Sequence, residues 1–261
     1  MVERIGALVV AGLAWAGEVA LFGLRALREA LRPPFETKEL LRQLYDIGSR
    51  SAPLIAVAGF SVGIVMSMHS RASLERFGAE SLIPSVLALS LAREIAPLVA
   101  GLLVSGRVGA GIGAELGGMR VTEQIDALES LGVDSFKYLV VTRVLACMIA
   151  QPILTTLMSF TGIVGGFVAE TAISDLSFRL YLDRAFSGMQ FVDYVPATLK
   201  TVVFGFIIGT VSSYLGYNAT GGAEGVGKAS TKSVVLSSIL LILANVVLVK
   251  MIIFLFPEEI G

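Results

Sequence analysis

Long apolar segments separated by short polar ones dominate the chain. Because about 20 apolar residues span the hydrocarbon core of a bilayer, five segments are long enough to cross it. The pattern predicts an all-α integral membrane protein, with one domain over residues 1–261 and a transmembrane region at 52–256. The third span is long for one crossing, and Gln151-Pro152 and Gly162, Gly165 and Gly166 permit a kink or a break in it. The predicted spans are residues 52–70, 82–108, 138–170, 195–217 and 233–256.

Residues 5–24 are apolar apart from Glu18 and allow three interpretations. They could form a sixth span, a signal peptide cleaved after Ala14-Trp15-Ala16, or a helix in the membrane interface. The start Met-Val-Glu-Arg lacks a positive n-region, which argues against a signal peptide. An amphipathic stretch with Arg25, Arg28, Glu29 and Arg32 follows and stops at Pro33-Pro34. We favour an interfacial helix that dips partly into lipid, so that residues 1–50 form interfacial and cytoplasmic helices.

Small side chains recur at every fourth position from the second predicted span onward. They are Gly101, Ser105, Gly109, Gly113 and Gly117. This spacing clears one helix face and allows another helix to approach closely in lipid. We therefore expect helix packing along this small-residue stripe.

A short polar helix, predicted over Thr122–Leu131, follows the stripe and is too charged to remain in the bilayer. Thr122 can cap its N-terminus and Gly132 can end it. Its apolar side, with Val121, Ile125 and Leu128, is expected to dock in a groove of a partner protein, while acidic residues on the rim set the register. The alternative, an interfacial helix held by lipid alone, would turn acidic side chains toward an anionic leaflet. The residues expected to couple to the partner are Thr122, Glu123, Gln124, Ile125, Asp126, Ala127 and Leu128.

Three charges interrupt the apolar spans: Arg93, Glu94 and Lys200. Each charge costs on the order of 2.5–3.5 kcal/mol to insert, so such residues face protein or water. Arg93 and Glu94 point about 100° apart on a helix, and Pro97 leaves the Arg93 carbonyl without its usual donor. A bond between Glu94 and Lys200 would neutralise both charges. The cluster is either a static ion pair between helices or a functional element, which would be a polar point in a mostly apolar lipid cavity or a latch that opens during transport.

Composition supports a membrane protein and narrows the function. Of the 261 residues, 16% are charged, against about 25% in soluble domains, and the mean hydropathy is +0.81. A net charge of −1 without a basic run gives no case for nucleic acid. The chain has no G-x-x-x-x-G-K-[ST] phosphate loop, no nucleophile–base pair and no ligand-spaced metal cluster around its single histidine, His69. We therefore predict no catalytic residue, no metal site and no enzymatic activity.

The distribution of Lys and Arg predicts the orientation. The polar segments at 1–50, 107–143 and 217–232 hold most of these residues, whereas the opposite loops hold only Arg71, Arg76, Arg179 and Arg184. This bias places the N-terminus and Thr122–Leu131 in the cytoplasm. With five spans, the C-terminus then lies outside.

Two long strings resemble signatures of the MlaE/YrbE permease family. They are AREIAPLVAGLLVSGRVGAGIGAELGGMRVTEQIDALESLGVD at residues 92–134 and GGAEGVGKASTKSVVLSSILLIL at 221–243. The resemblance runs from about residue 36 to the end. One departure is Asn245, where many relatives carry an acidic residue, so a charge-based role at this position is not expected.

The resemblance implies the homodimeric permease subunit of an ATP-driven ABC transporter in the bacterial inner membrane. Such a transporter moves phospholipid between the inner membrane and an outer MCE-domain protein and maintains the lipid asymmetry of the outer membrane. ATP and Mg belong to a separate ABC ATPase, so this chain itself holds no cofactor, and a small cytoplasmic STAS-type subunit is a further implied partner. Two other functions stay open from the residues: an ion-coupled secondary transporter, although internal repeats typical of that class are not found, and a non-transporting scaffold for a lipid-binding protein.

Overall fold

The computed structural model describes residues 2–174 and 176–256, and all regular secondary structure in this part of the chain is helical. Among the residues described, five helical rods are long and apolar enough to cross a membrane. The predicted all-α membrane architecture is thus confirmed, and the five rods overlap the five predicted spans. The rods extend past the predicted spans because helical hydrogen bonding continues into the polar flanks. They are Thr37–Phe77, Glu80–Val121, Phe136–Thr171, Phe191–Tyr217 and Gly222–Leu255.

Within these rods the helices differ in regularity. The second rod contains two π-helical turns, Leu91–Ile95 and Ser105–Gly109, and the third begins with another, Phe136–Val141. Such turns widen a helix locally and are frequent at functional sites. The α-helices of the described chain are α1 (Val2–Ala30), α2 (Thr37–Leu74), α3 (Ile83–Ser90), α4 (Ala96–Val104), α5 (Ala110–Val121), α6 (Gln124–Ser130), α7 (Thr142–Thr171), α8 (Phe178–Phe186), α9 (Phe191–Tyr217) and α10 (Gly222–Leu255).

The second half of α1 packs on the start of the third rod and on the end of the fourth rod, α9. The Phe22 ring lies 5.0 Å from the Phe136 ring and 5.4 Å from the Tyr214 ring, both edge to face. The Tyr214 hydroxyl donates to Glu18 Oε2 at 2.5 Å. These contacts fix one part of α1 against the bundle, and the interfacial position of residues 5–24 stays a prediction.

Backbone-to-backbone contact joins α2 and α7 at the centre of the fold. A Cβ added at Gly63 would meet the Gly162 carbonyl, and one at Gly165 would meet the Phe60 carbonyl. Helix α7 is continuous from Thr142 to Thr171. Its glycines therefore provide close packing in this structure, and the break that they would permit does not occur.

The small-residue stripe packs against α9 and α10 of the same chain. A Cβ at Gly109 would lie 3.0 Å from Ser212 Oγ, and one at Gly113 would lie 2.5 Å from Ser233 Oγ and 3.1 Å from the Ala229 carbonyl. At the two ends, Gly101 faces Phe204 and Gly117 faces Ala219. The Ser105 hydroxyl is 3.4 Å from the carbonyl of Val234. The second, fourth and fifth rods are thus held at short range.

Candidate functional site

The intramembrane charges form one polar cluster where the second, fourth and fifth rods meet. Lys200 Nζ donates to Glu94 Oε1 at 2.9 Å, which is the ion pair expected from the sequence. The two partners differ in environment: the Lys200 side chain is 2% exposed and that of Glu94 is 44% exposed. The carboxylate therefore presents charge to the space beside the helix, while the ammonium is enclosed.

The π-helical turn Leu91–Ile95 carries both Arg93 and Glu94. Pro97 has no N–H, so the Arg93 carbonyl lacks the donor that an α-helix would supply. Lys200 Nζ donates to this carbonyl at 2.9 Å and takes the place of that donor. Lys200 thus satisfies a backbone group and a carboxylate at the same time.

Arg93 has a partner that the sequence did not reveal. Its Nε donates to Asp193 Oδ1 at 2.8 Å, and Nη2 also contacts this oxygen. Asp193 lies in the first turn of α9. Its other carboxylate oxygen accepts a hydrogen bond from the backbone N–H of Gln190 at 2.7 Å, as part of a capping box. Capping alone would explain an Asp at this position, so nothing in the sequence indicated its second role. The Asp193 side chain is 2% exposed and that of Arg93 is 37% exposed.

Asn245 completes the cluster from α10. Its Nδ2 donates to Glu94 Oε2 at 3.1 Å, so both carboxylate oxygens are engaged. An acidic residue here would place a second negative charge beside Glu94, whereas the amide donates a hydrogen bond to it without adding charge.

The cluster borders a cavity of 210 Å³ whose other walls are apolar. Charges therefore occupy one side of the cavity and aliphatic side chains the other, an arrangement that suits an amphipathic ligand with a charged end. The lining residues are Arg93, Glu94, Val192, Asp193, Ala197, Val249, Ile252 and Ile253.

The short polar helix lies at the opposite end of the rods and begins later than expected. Thr122 does not cap it: the Thr122 hydroxyl donates to the Gly118 carbonyl at 2.9 Å and so belongs to the end of α5. Glu123 adopts a left-handed conformation with φ of 59° immediately before α6. Gly132, with φ of 78°, ends the segment as predicted.

On the apolar side of α6, Ile125 faces its own chain, which corrects the expectation that it docks in a partner, whereas Leu128 also borders an open groove. Ile125 is fully buried in the main hydrophobic core, and Leu128 is half-buried against it. The exposed surface of α6 is instead mostly polar, and Leu131, the residue after its end, is a large apolar side chain that is 80% exposed. The exposed residues among those expected to couple are Thr122, Glu123, Gln124, Asp126 and Ala127.

A groove of 420 Å³ runs beside α6 and was not anticipated from the sequence. Helix α6 contributes Gln124, Ala127 and Leu128 to one wall. The start of α2 contributes Glu39 and Arg42 to another wall. The groove also takes residues from α5 and the third rod, so it depends on segments that are distant in the chain, a long-range feature that no local pattern encodes.

Hydrogen bonds tie this end of the molecule to α9. Glu129 Oε1 accepts from the Ser135 hydroxyl at 2.5 Å and from the Tyr217 hydroxyl at 3.3 Å. Tyr217 and Lys200 lie on the same continuous helix. Since an α-helix rises 1.5 Å per residue, α9 connects the polar helix to the charged cluster over about 25 Å.

Within the described residues, no group of three or more His, Cys, Asp or Glu side chains has a metal-binding arrangement. Cys147 is buried in α7 with a free thiol, and His69 is exposed on α2. Neither residue adds chemistry to the cluster.

Comparison with known proteins gives a consistent result. The family described as Permease MlaE matches residues 40–251. A probable ABC transporter permease protein of Rickettsia bellii is 42% identical over 90% of this chain and 91% of its own length. A probable ABC transporter permease protein of Synechocystis is 37% identical over 80% of this chain and 79% of its own length. The chloroplast protein TRIGALACTOSYLDIACYLGLYCEROL 1 of Arabidopsis thaliana is 33% identical over 90% of this chain and 67% of its own length.

Proposed function

The chain belongs to the MlaE permease family, and we propose that it moves phospholipid as the membrane subunit of an ATP-driven ABC transporter. The cavity beside Arg93 and Glu94 carries this proposal. A phospholipid joins a charged headgroup to apolar chains, and this cavity joins charged residues to walls formed by Val192, Val249 and Ile252. Arg93, more than a third exposed, offers a cation for the phosphate.

The ATPase docks at the surface formed by α6 and the groove beside it. The exposed face of α6 is polar and acidic, which suits a transient, orienting contact rather than a buried apolar one. Helix α9 then provides a continuous connection from Glu129 and Tyr217 to Lys200. ATP and Mg act on the partner, because this chain lacks a phosphate loop.

The permease sits in the bacterial inner membrane with its N-terminus and α6 in the cytoplasm. The bias of Lys and Arg supports this orientation. The C-terminus lies in the periplasm, where an MCE-domain protein exchanges lipid; residues 257–261 are outside the described residues. A homodimer would enclose the half-open cavity, and the exposed apolar faces of α2 and α10 supply surface for it. A STAS-type subunit on the cytoplasmic side is a further proposed partner.

Transfer of labelled phospholipid from proteoliposomes to the outer partner tests this function. The complex of permease, ATPase and MCE-domain protein should transfer lipid only with ATP. Arg93→Gln should lower transfer by roughly 10-fold or more, the equivalent of one charge-assisted hydrogen bond, whereas Arg76→Gln at an exposed outer position should not. Because Arg93→Gln strands Asp193, the double variant with Asp193→Asn separates loss of lipid contact from loss of folding.

The ion-coupled alternative rests on one observation, the partly exposed carboxylate of Glu94 beside the cavity. It requires transport driven by a proton or sodium gradient in the absence of any ATPase. Gradient-driven transfer by the isolated chain would favour this alternative and contradict our proposal. ATPase turnover in a complex that never transfers lipid would instead favour the scaffold.

A further inference from the structure

A second cavity lies between the N-terminal half of α9 and the C-terminal half of α10. It has a volume of 400 Å³, within the range of about 300–1,000 Å³ typical of ligand sites. Its walls are apolar except for Lys200 at one side. The main lining residues are Val195, Leu199 and Val203 from α9 and Leu248, Met251 and Leu255 from α10.

The cleft exists because α10 leaves the bundle. The last buried residue of α10 is Leu241, and Asn245 still bonds to Glu94. Beyond Asn245, α10 presents large apolar side chains, among them Met251, which is 49% exposed. On the opposite wall Leu199 is 60% exposed. The cleft is therefore open to the side as well as lined by apolar groups.

The two cavities adjoin one another. Val192 and Ile252 line both the cleft and the charged cavity beside Arg93 and Glu94. A ligand with a charged end in the first cavity would thus extend an apolar part directly into the second. Lys200, which pairs with Glu94, also forms part of the cleft wall.

The length of the cleft matches one acyl chain. Its α9 wall runs from Phe191 to Val203, a distance of about 18 Å at 1.5 Å per residue. One leaflet contributes about 15 Å to the hydrocarbon core, half of its roughly 30 Å thickness. We propose that this α9–α10 cleft binds one acyl chain of the transported phospholipid and opens laterally to the bilayer. This inference rests on the proposed phospholipid transport.

Blocking the cleft from either wall tests the proposal. Leu199→Trp and Met251→Trp should each reduce ATP-driven phospholipid transfer by at least about tenfold, since losing the burial of two methylenes already corresponds to that factor in affinity. Ile153→Trp is the matched control, because Ile153 is 61% exposed on α7 and lines neither cavity. Oligomeric state and co-purification of the ATPase should be unchanged in all three variants.

Several outcomes would overturn the inference. Normal transfer by both cleft variants beside an active wild type would show that the cargo does not use the cleft. Loss of self-association in these variants would show that the cleft is a seam between two copies of the chain.

A lipid-binding measurement tests the cleft independently of the proposed transport. Vesicles containing phosphatidylglycerol with a diazirine at mid-chain should label peptides around Leu199 and Met251 more strongly than the surface around Ile153. Equal labelling of all three would refute the cleft even if transport is active. Selective labelling without any ATP-driven transfer would support the cleft and refute the proposed function.

Discussion

The Glu94–Lys200 pair allows a quantitative test of the cluster. The relevant variants are Glu94→Gln, Lys200→Met and the two combined. Each single change leaves one charge without its partner, whereas the double change removes both charges. We expect the double variant to be more stable than either single variant.

The structure sets the expected magnitudes. At 2.9 Å and an effective dielectric constant of about 20, two unit charges attract by roughly 6 kcal/mol before desolvation is counted. Removing one partner of a buried pair typically costs about 3–5 kcal/mol. Glu94→Gln should lie at the upper end, because it strands the enclosed Lys200 ammonium. Lys200→Met leaves Glu94 partly exposed and still bonded to Asn245, so its charge penalty is smaller.

Recovery in the double variant should be incomplete. Lys200 also supplies the donor for the Arg93 carbonyl, and Pro97 provides no substitute. A buried acceptor without a partner costs about 1–3 kcal/mol, and this deficit should remain. A pair that acted only through its charges would show no such remainder.

Denaturant unfolding of the permease in nanodiscs measures these differences as a double-mutant cycle. Strictly additive effects would refute the reasoning, since they would mean that the two residues do not interact. Phospholipid transfer by the same variants separates two roles. If the pair only holds helices together, transfer should recover with stability in the double variant; if it contacts lipid or opens during transport, transfer should stay low.

Two further predictions concern the exposed helix and the small-residue stripe. Asp126→Lys should weaken binding of the ATPase by reversing a charge on the exposed face of α6, with little change in the thermal stability of the permease alone; normal co-purification and transport would contradict it. Gly113→Leu should destabilise the permease strongly, because even a Cβ would lie 2.5 Å from Ser233 Oγ, whereas Gly111→Leu should not, since a Cβ there meets nothing within 4 Å. Equal thermal stability of these two glycine variants would show that the stripe does not decide packing.

The sequence predicted the features that follow from local costs of placing a helix in a bilayer. Apolar length indicated the five spans, because lipid cannot satisfy an exposed backbone. The spacing from Gly101 to Gly117 indicated close helix contact. The isolated charges of Glu94 and Lys200 indicated that these two residues form a pair, since an unpaired charge in an apolar span is costly.

Only the tertiary structure decided which surfaces and partners meet. Asp193 could be read as a simple helix cap, yet the fold also brings it to Arg93. The apolar side of α6 could serve a partner or the chain itself, and the position of Ile125 in the core resolves this choice. The cavity and the α9–α10 cleft depend on where α10 separates from α9. Periodicity and charge act within one helix and can be read from the sequence, whereas partner identity depends on the register and crossing of helices distant in the chain, which packing of the whole bundle determines.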